Sequence, residues 1–169
     1  KLPSRDEDGY GLSESAVDQM AEKGVNLIIT VDNGISAHEA VARAAQRGMD
    51  VVITDHHLPP QNLPDAVAVI DPQLPNDKSS CKVLSGAGVA FKICALDGAQ
   101  PFEMLPYYGD LAAIGTVADI MSLTGENRTI VKAGLSFLQN TDRPGLAALI
   151  AKCGLENKEL TAENVSFGL

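Results

Sequence analysis

The feature that most constrains the fold is an apolar run that ends in an acid and two histidines, VVITDHH at residues 51–57. A short apolar run bounded by polar residues is typical of a buried strand. A similar run lies upstream, LIITVDNG at residues 27–34, and ends in Asp32 and a glycine turn. Residues 36–47 between the two runs have the apolar spacing of a helix. Strand, helix and strand within about 30 residues form a βαβ unit, whose two strands must be parallel.

The remaining elements extend this unit into an α/β fold. We predict a parallel sheet with flanking helices, including a helix over residues 13–23 and a third strand over residues 66–70, closed by Asp71 and Pro72. The C-terminal part is predicted to be mainly helical, with helices over residues 86–96, 110–117, 128–138 and 144–153. The βαβ part occupies roughly residues 1–75 and the helical part residues 84–169. Ser36 and Glu39 have the spacing of a capping box at the start of the second helix.

Polar side chains follow the first two predicted strands, at the point where each strand ends. The carboxyl ends of parallel strands open into one crevice, so Asp32, Asp55, His56 and His57 are expected to converge there. Carboxylate and imidazole together suit a hard or borderline divalent metal. Asp32 alone could be a turn residue, because Asp-Asn-Gly is strong turn chemistry. Two adjacent histidines after a buried strand are harder to explain without a ligand, and the pattern favours a metal-dependent hydrolase.

Two further segments carry weaker signals. Asp119 closes an apolar helix, where a carboxylate opposes the helix dipole and a cation would compensate it. An ordinary polar residue at a helix end is the alternative interpretation. The glycines at residues 86 and 88 resemble a dinucleotide loop but lack the third glycine and the preceding strand, which favours a plain helix start.

Composition limits the class of protein. The chain has 169 residues, of which 45% are hydrophobic, enough for the core of about one domain. A net charge of −9 without a cluster of Lys and Arg disfavours a stand-alone nucleic-acid binder, although a metal-dependent phosphoesterase remains compatible with it. The three cysteines form no CxxC pair, which favours a reducing cytoplasm over a disulfide framework or a zinc ribbon. Apolar runs fall far short of the ~20 residues that span a bilayer, so we expect no membrane association.

Several motifs occur together in a fixed order. They are PSR at residues 3–5, DGYGL at 8–12, VDNG at 31–34, DHH at 55–57, SGAGVAFK at 85–92, GTVADI at 115–120 and LTGENR at 123–128. In combination they resemble the DHH phosphoesterases, and within them the RecJ-type single-strand-specific exonucleases. The resemblance covers essentially the whole chain and implies a Rossmann-like DHH domain.

The resemblance also implies roles for individual residues. Asp32 would bridge two metal ions, Mn²⁺ or Mg²⁺, and His56 and Asp119 would be terminal ligands. Two-metal sites of this kind hold ions ~3.5–4 Å apart and assist in-line displacement at phosphorus. Asp55 would orient the ligand imidazole from outside the coordination sphere, as such ligands usually require. His57 would contact the scissile phosphate.

The implied reaction is hydrolysis of single-stranded DNA from its 5′ end with release of 5′-mononucleotides, in DNA repair and recombination. Arg5 would bind a substrate phosphate, and DNA-repair proteins would be partners besides single-stranded DNA. The family's first metal motif and its C-terminal DNA-binding regions do not occur among these residues. We therefore expect a partial DHH domain, truncated at both ends, that cannot hold both metals alone and has little or no activity.

Two kinds of alternative function stay open. Other DHH relatives cleave oligoribonucleotides, cyclic dinucleotides or pyrophosphate. A metal-less DHH scaffold belongs to a different class, and it would be expected to lose ligands, whereas Asp32, His56 and Asp119 are all present.

Overall fold

The computed structural model describes residues 11–95 and 100–169. The chain divides between Ser79 and Ser80 into two compact units. The first unit contains a three-stranded parallel sheet and two helices, and the second contains helices. The predicted α/β fold class is therefore confirmed.

The first unit begins with helix α1 (Glu14–Glu22) and continues through strand β1 (Leu27–Val31), helix α2 (His38–Gln46), and strands β2 (Asp50–Thr54) and β3 (Ala68–Ile70). The strands lie in the order β1-β2-β3 and are all parallel. Val31 pairs with Thr54, and Thr54 pairs with Ile70, so the three strands end level with one another. The residue that follows each strand therefore enters the same edge of the sheet.

Apolar side chains from both helices cover one face of this sheet. The buried core consists of Val17, Ile28, Ala40, Val41, Ala44, Met49, Val51 and Ile53. On β1 the burial alternates, and Ile29 is 58% exposed, so only one face of this strand packs into the core. An ion pair joins the two helices. Arg43 Nε and Nη2 donate to the two carboxylate oxygens of Asp18 at 2.9 and 3.0 Å.

The predicted capping box at Ser36 is wrong. Helix α2 begins at His38, and Ala37 precedes it without a side-chain cap. The Ala37 amide donates to the Gly34 carbonyl at 3.0 Å, and the Ile35 amide donates to the Asp55 side chain at 2.9 Å. These two bonds hold a turn between β1 and the helix, so the helical hydrogen bonds start later than the sequence pattern indicates.

The second unit contains helices α3 (Gly86–Ile93), α4 (Leu105–Ala118), α5 (Gly125–Gln139), α6 (Pro144–Lys152) and α7 (Ala162–Gly168), with a 3₁₀ turn at Pro101–Met104. Ser85 caps α3 by accepting from the Gly88 amide at 3.0 Å, as expected of a plain helix start. Helix α7 was not predicted from the sequence. Among the described residues, no helix combines the length and apolar character needed to cross a membrane.

Helices α4 and α5 cross closely at two glycines. A Cβ atom added to Gly134 would lie 2.1 Å from the Gly109 carbonyl oxygen and 2.5 Å from the Ala113 Cβ. The contact therefore requires the absence of a side chain at position 134, since no rotamer relieves a clash with backbone.

We expect Gly134→Ala to lower the free energy of unfolding by about 2 kcal/mol, because the two helices must separate to admit the methyl group. Gly145→Ala is the matched control, since a Cβ at Gly145 meets nothing within 4 Å. This control should be neutral or stabilising by about 0.5 kcal/mol. Urea denaturation followed by circular dichroism measures both, and equal stability of the two variants would contradict the packing argument.

Candidate metal centre

The loop after β1 presents Asp32 in a constrained backbone conformation. Asp32 has a φ of +64°, a left-handed region that Asp tolerates better than most residues. Its amide donates to the Thr54 carbonyl at 3.0 Å, which extends the β1–β2 pairing by one residue. At Gly34 (φ +109°), a Cβ would approach the Thr30 side-chain oxygen to 2.7 Å. The Asp-Asn-Gly turn is real, and it leaves the Asp32 side chain half exposed at the sheet edge.

Asp55 lies at the end of β2 and is 1% exposed. Its Oδ2 accepts from the Ile35 amide at 2.9 Å. Its Oδ1 accepts from the His56 and His57 amides at 2.8 and 3.3 Å, and lies 2.6 Å from His57 Nδ1. One carboxylate therefore joins the loop after β1 to the loop after β2.

These contacts determine the charge state of Asp55. Burial alone would raise the pKa of the Asp55 carboxyl, but the hydrogen bonds from the His57 ring and three backbone amides outweigh it and lower the pKa. An ionised Asp55 accepts from a protonated Nδ1 of His57, so Nε2 carries the lone pair of the neutral ring. The resemblance assigns Asp55 to the ligand imidazole, whereas the ring that it contacts at 2.6 Å is that of His57.

His56 turns towards Asp32. Its ring is largely buried, and its Nε2 lies 2.9 Å from Asp32 Oδ1. The rings of His56 and His57 lie 4.5 Å apart between centroids. One ligand atom each from Asp32, His56 and His57 lies within 4.8 Å of the others. Donors that share one small divalent ion at about 2.1 Å lie within such a distance of one another, and a carboxylate with two imidazoles suits Mn²⁺. Asp32 and His56 therefore fit as donors to a metal ion, and the His57 ring lies beside them.

Asp71 and Gln73 form a second layer that the sequence analysis did not assign to the site. Asp71 follows β3 as Asp32 follows β1 and Asp55 follows β2, and it is 2% exposed. Its Oδ1 accepts from the Gln73 amide at 2.7 Å, and its Oδ2 lacks a hydrogen-bond partner within residues 11–95 and 100–169. Burial raises the pKa of the Asp71 carboxyl, and the Asp55 charge acts in the same direction. The strand-end rule applied to the third strand would have found Asp71.

Neither Arg5 nor Asp119 belongs to the described residues of the first unit. Arg5 falls outside the described residues. Asp119 belongs to the second unit, where it is the exposed residue that ends α4 and donates its amide to the Gly115 carbonyl at 3.0 Å. Its role as a metal ligand stays a prediction.

An open cleft of about 400 Å³ adjoins His57. Its polar lining includes Asn33, Ser36, Glu39 and Asp55. This volume lies within the range of small-ligand sites, about 300–1,000 Å³. A group as large as a nucleotide therefore has room beside the His57 imidazole.

The family model described as "DHH family, N-terminal domain" matches residues 2–116. The chain belongs to the DHH family. The single-stranded-DNA-specific exonuclease RecJ of Bacillus subtilis (strain 168) is 46% identical over 169 residues, which include 99% of this chain and 21% of that protein. The chain spans between 21% and 31% of the length of the curated relatives that it matches.

Solved structures of DHH-family exonucleases share the fold. A crystal structure of exonuclease RecJ bound to manganese gives a TM-score of 0.81 at 36% identity, covering 98% of this chain and 42% of that one. RecJ of Thermus thermophilus in complex with Mn²⁺ gives 0.75 at 34% identity, over 94% of this chain and 24% of that one. The complex of the Thermus thermophilus protein with Mg²⁺ gives 0.54 at 28% identity, over 92% and 27% of the two chains.

The geometry places His56 Nε2 beside the Asp32 carboxylate, where a metal donor is predicted. We expect His56→Ala to weaken Mn²⁺ binding at least about tenfold, since it removes the imidazole that faces Asp32. His38→Ala is the matched control, because His38 lies exposed at the start of α2. Titration calorimetry of the chain with Mn²⁺ measures both variants. Unchanged affinity in His56→Ala would remove this residue from the metal centre.

Proposed function

We propose that the chain carries part of the metal centre of a metal-dependent exonuclease that hydrolyses single-stranded DNA from the 5′ end. The observation that carries the proposal is the convergence of Asp32, His56 and His57 at the carboxyl ends of β1 and β2. The same residues constitute the VDNG and DHH motifs of a family whose similar members are named single-stranded-DNA-specific exonucleases. The products are 5′-mononucleotides, and the process served is DNA repair and recombination.

In this proposal Asp32 and His56 would hold a divalent cation, Mn²⁺ or Mg²⁺, and Asp119 would be a further ligand, while the complete two-metal site belongs to a longer protein. Divalent cations at such a site supply Lewis-acid activation of water and neutralise charge at the phosphate. Asp32 suits this role because its carboxylate is half exposed at the sheet edge. His56 suits it because its main chain is held from two sides, at the amide by Asp55 and at the carbonyl by Gln73.

His57 acts on the substrate. Its Nδ1 is anchored by the ionised Asp55, and the ring borders the cleft. The Nδ1 contact leaves Nε2 for the substrate, where the ring, when protonated there, would donate a hydrogen bond or a proton to a phosphate oxygen. Arg5 adds a second phosphate contact in this scheme.

The acidic composition bears on the partners. A net charge of −9 gives little attraction to a DNA backbone, so most of the grip on single-stranded DNA comes from parts of a longer protein. The wide spacing of Cys81, Cys94 and Cys153, without a CxxC pair, favours a reducing cytoplasm as the compartment. DNA-repair proteins are further partners in this proposal.

A polypeptide of the relatives' length that contains this chain should release 5′-mononucleotides from single-stranded DNA in Mn²⁺. Oligonucleotides labelled at the 5′ or the 3′ end establish polarity, and a duplex of the same sequence is the control for strand specificity. Asp32→Ala should abolish hydrolysis, because it removes the exposed carboxylate of the metal centre. Preferred cleavage of cyclic dinucleotides or short oligoribonucleotides would replace the substrate assignment. Metal binding without hydrolysis of any of these would favour a scaffold.

We expect His57→Ala to separate chemistry from metal binding. Turnover at saturating Mn²⁺ should fall about 10²-fold, since an acid or hydrogen-bond donor to the phosphate is lost, while calorimetric Mn²⁺ affinity stays near wild type. Steady-state kinetics beside calorimetry gives both quantities. A loss of affinity as large as that in His56→Ala would make His57 a metal ligand instead.

A further inference from the structure

The His56 main chain is fixed on both sides by side chains rather than by strand pairing. Its amide donates to Asp55 Oδ1 at 2.8 Å, and its carbonyl accepts from Gln73 Nε2. Gln73 stands 17 residues further along the chain, beyond β3. This contact therefore ties the loop after β2 to the loop after β3, next to the metal centre.

Gln73 is itself held in place by Asp71. The Asp71 Oδ1 accepts from the Gln73 amide at 2.7 Å, which forms a local turn of the kind that Asp and Asn favour. Asp71 is 2% exposed and directly follows Ile70, the last paired residue of β3. The turn therefore starts from a buried residue at the end of the sheet. The amide and the side chain of Gln73 are both hydrogen-bonded, so the turn and the His56 carbonyl are held to one another.

We propose that Gln73 is a positioning residue for the metal centre, and that the Asp71–Gln73 turn sets the direction of the His56 imidazole through the His56 carbonyl. The inference rests on the proposed function, because it assigns His56 to the metal. The physical reason is conformational: the peptide plane between His56 and His57 is held by the Gln73 donor at its carbonyl and by a long 3.3 Å bond from its amide to Asp55. Without Gln73 only the long bond remains, so the plane is held less tightly and the bound orientation of the ring must be selected at a larger cost in entropy. Groups that orient a ligand in this way typically contribute a factor of about 10–100 to metal affinity.

The first test removes the Gln73 donor. Gln73→Met keeps the length of the side chain and Gln73→Ala shortens it, and both should weaken Mn²⁺ binding about tenfold in calorimetry of the chain. Turnover in the longer polypeptide should recover at saturating Mn²⁺, because the His56 ligand atom is retained. His56→Ala should also lose Mn²⁺ affinity in calorimetry, but its turnover should not recover at saturating Mn²⁺. Gln61→Ala, an exposed glutamine in the loop between β2 and β3, is the matched control and should behave as wild type.

The second test separates the turn from the charge of Asp71. Asp71→Asn keeps an acceptor for the Gln73 amide and should retain Mn²⁺ affinity near wild type. Asp71→Ala removes the acceptor and should match Gln73→Ala. Equal losses in Asp71→Asn and Asp71→Ala would overturn the inference, since the charge of Asp71 and not the turn would then act on the metal.

A spectroscopic measurement reports the contact without metal. In Gln73→Met the His56 carbonyl ¹³C resonance should move upfield while resonances of β1 and α1 stay in place, because only one hydrogen bond is lost. Unchanged His56 resonances together with wild-type Mn²⁺ affinity would overturn the inference and leave the proposed function intact. If the wild-type longer polypeptide binds no Mn²⁺, both the inference and the proposed function are overturned. If it binds Mn²⁺ but does not hydrolyse DNA, only the proposed function is overturned.

Discussion

The arrangement of the metal centre depends on one buried carboxylate. Asp55 accepts four hydrogen bonds, from three backbone amides and the His57 ring, and these donors belong to the loops after both β1 and β2. A buried carboxylate costs several kcal/mol of desolvation unless such donors compensate it. The compensation works in both directions, since removal of the acceptor would leave buried amides unpaired. The positions of Ile35, His56 and His57 thus depend on a single ionised side chain, whose pKa is lowered by the same contacts.

One aspartate follows each of the three strands, but the three carboxylates differ in exposure and in hydrogen bonding. Asp32 is half exposed, and its carboxylate faces His56 at the sheet edge. Both carboxylate oxygens of Asp55 already accept hydrogen bonds from the two loops. Asp71 is buried and bound to one local amide, with its second oxygen lacking a hydrogen-bond partner in the described part of the chain. Residue type and register are the same at all three positions, so the loop conformations decide that the Asp32 carboxylate is open to a cation and the Asp55 carboxylate is not.

This division explains how far the sequence alone can predict the site. Apolar runs and their polar ends predicted the parallel strands, and parallel strands necessarily bring Asp32, Asp55 and the two histidines to one edge. The partner of Asp55 was not predictable, because the choice between His56 and His57 depends on side-chain directions in a loop. The predicted start of α2 was wrong for a related reason. The amides just before the helix are already engaged: that of Ala37 donates to Gly34, and that of Ile35 donates to Asp55, 20 residues away in sequence. Helix α4 begins at Leu105 and not Asp110, because Pro106 stands in its first turn, where a proline is compatible with a helix.

The acidic side chains at this edge of the sheet affect the binding of cations and anions there. Three carboxyl groups stand at the ends of the strands, and a phosphodiester is an anion, so the sheet edge alone repels a nucleic-acid substrate. Divalent cations are usually the largest charges in such a site and reverse its sign. Cation and anionic substrate should therefore favour each other's binding, and linkage makes that coupling reciprocal. Under the proposed function, a residue that orients His56 for the cation would therefore also affect the apparent affinity for DNA, without touching it. Contributions of Gln73 to substrate binding would thus be separable from those of Arg5 or His57 by their dependence on metal concentration.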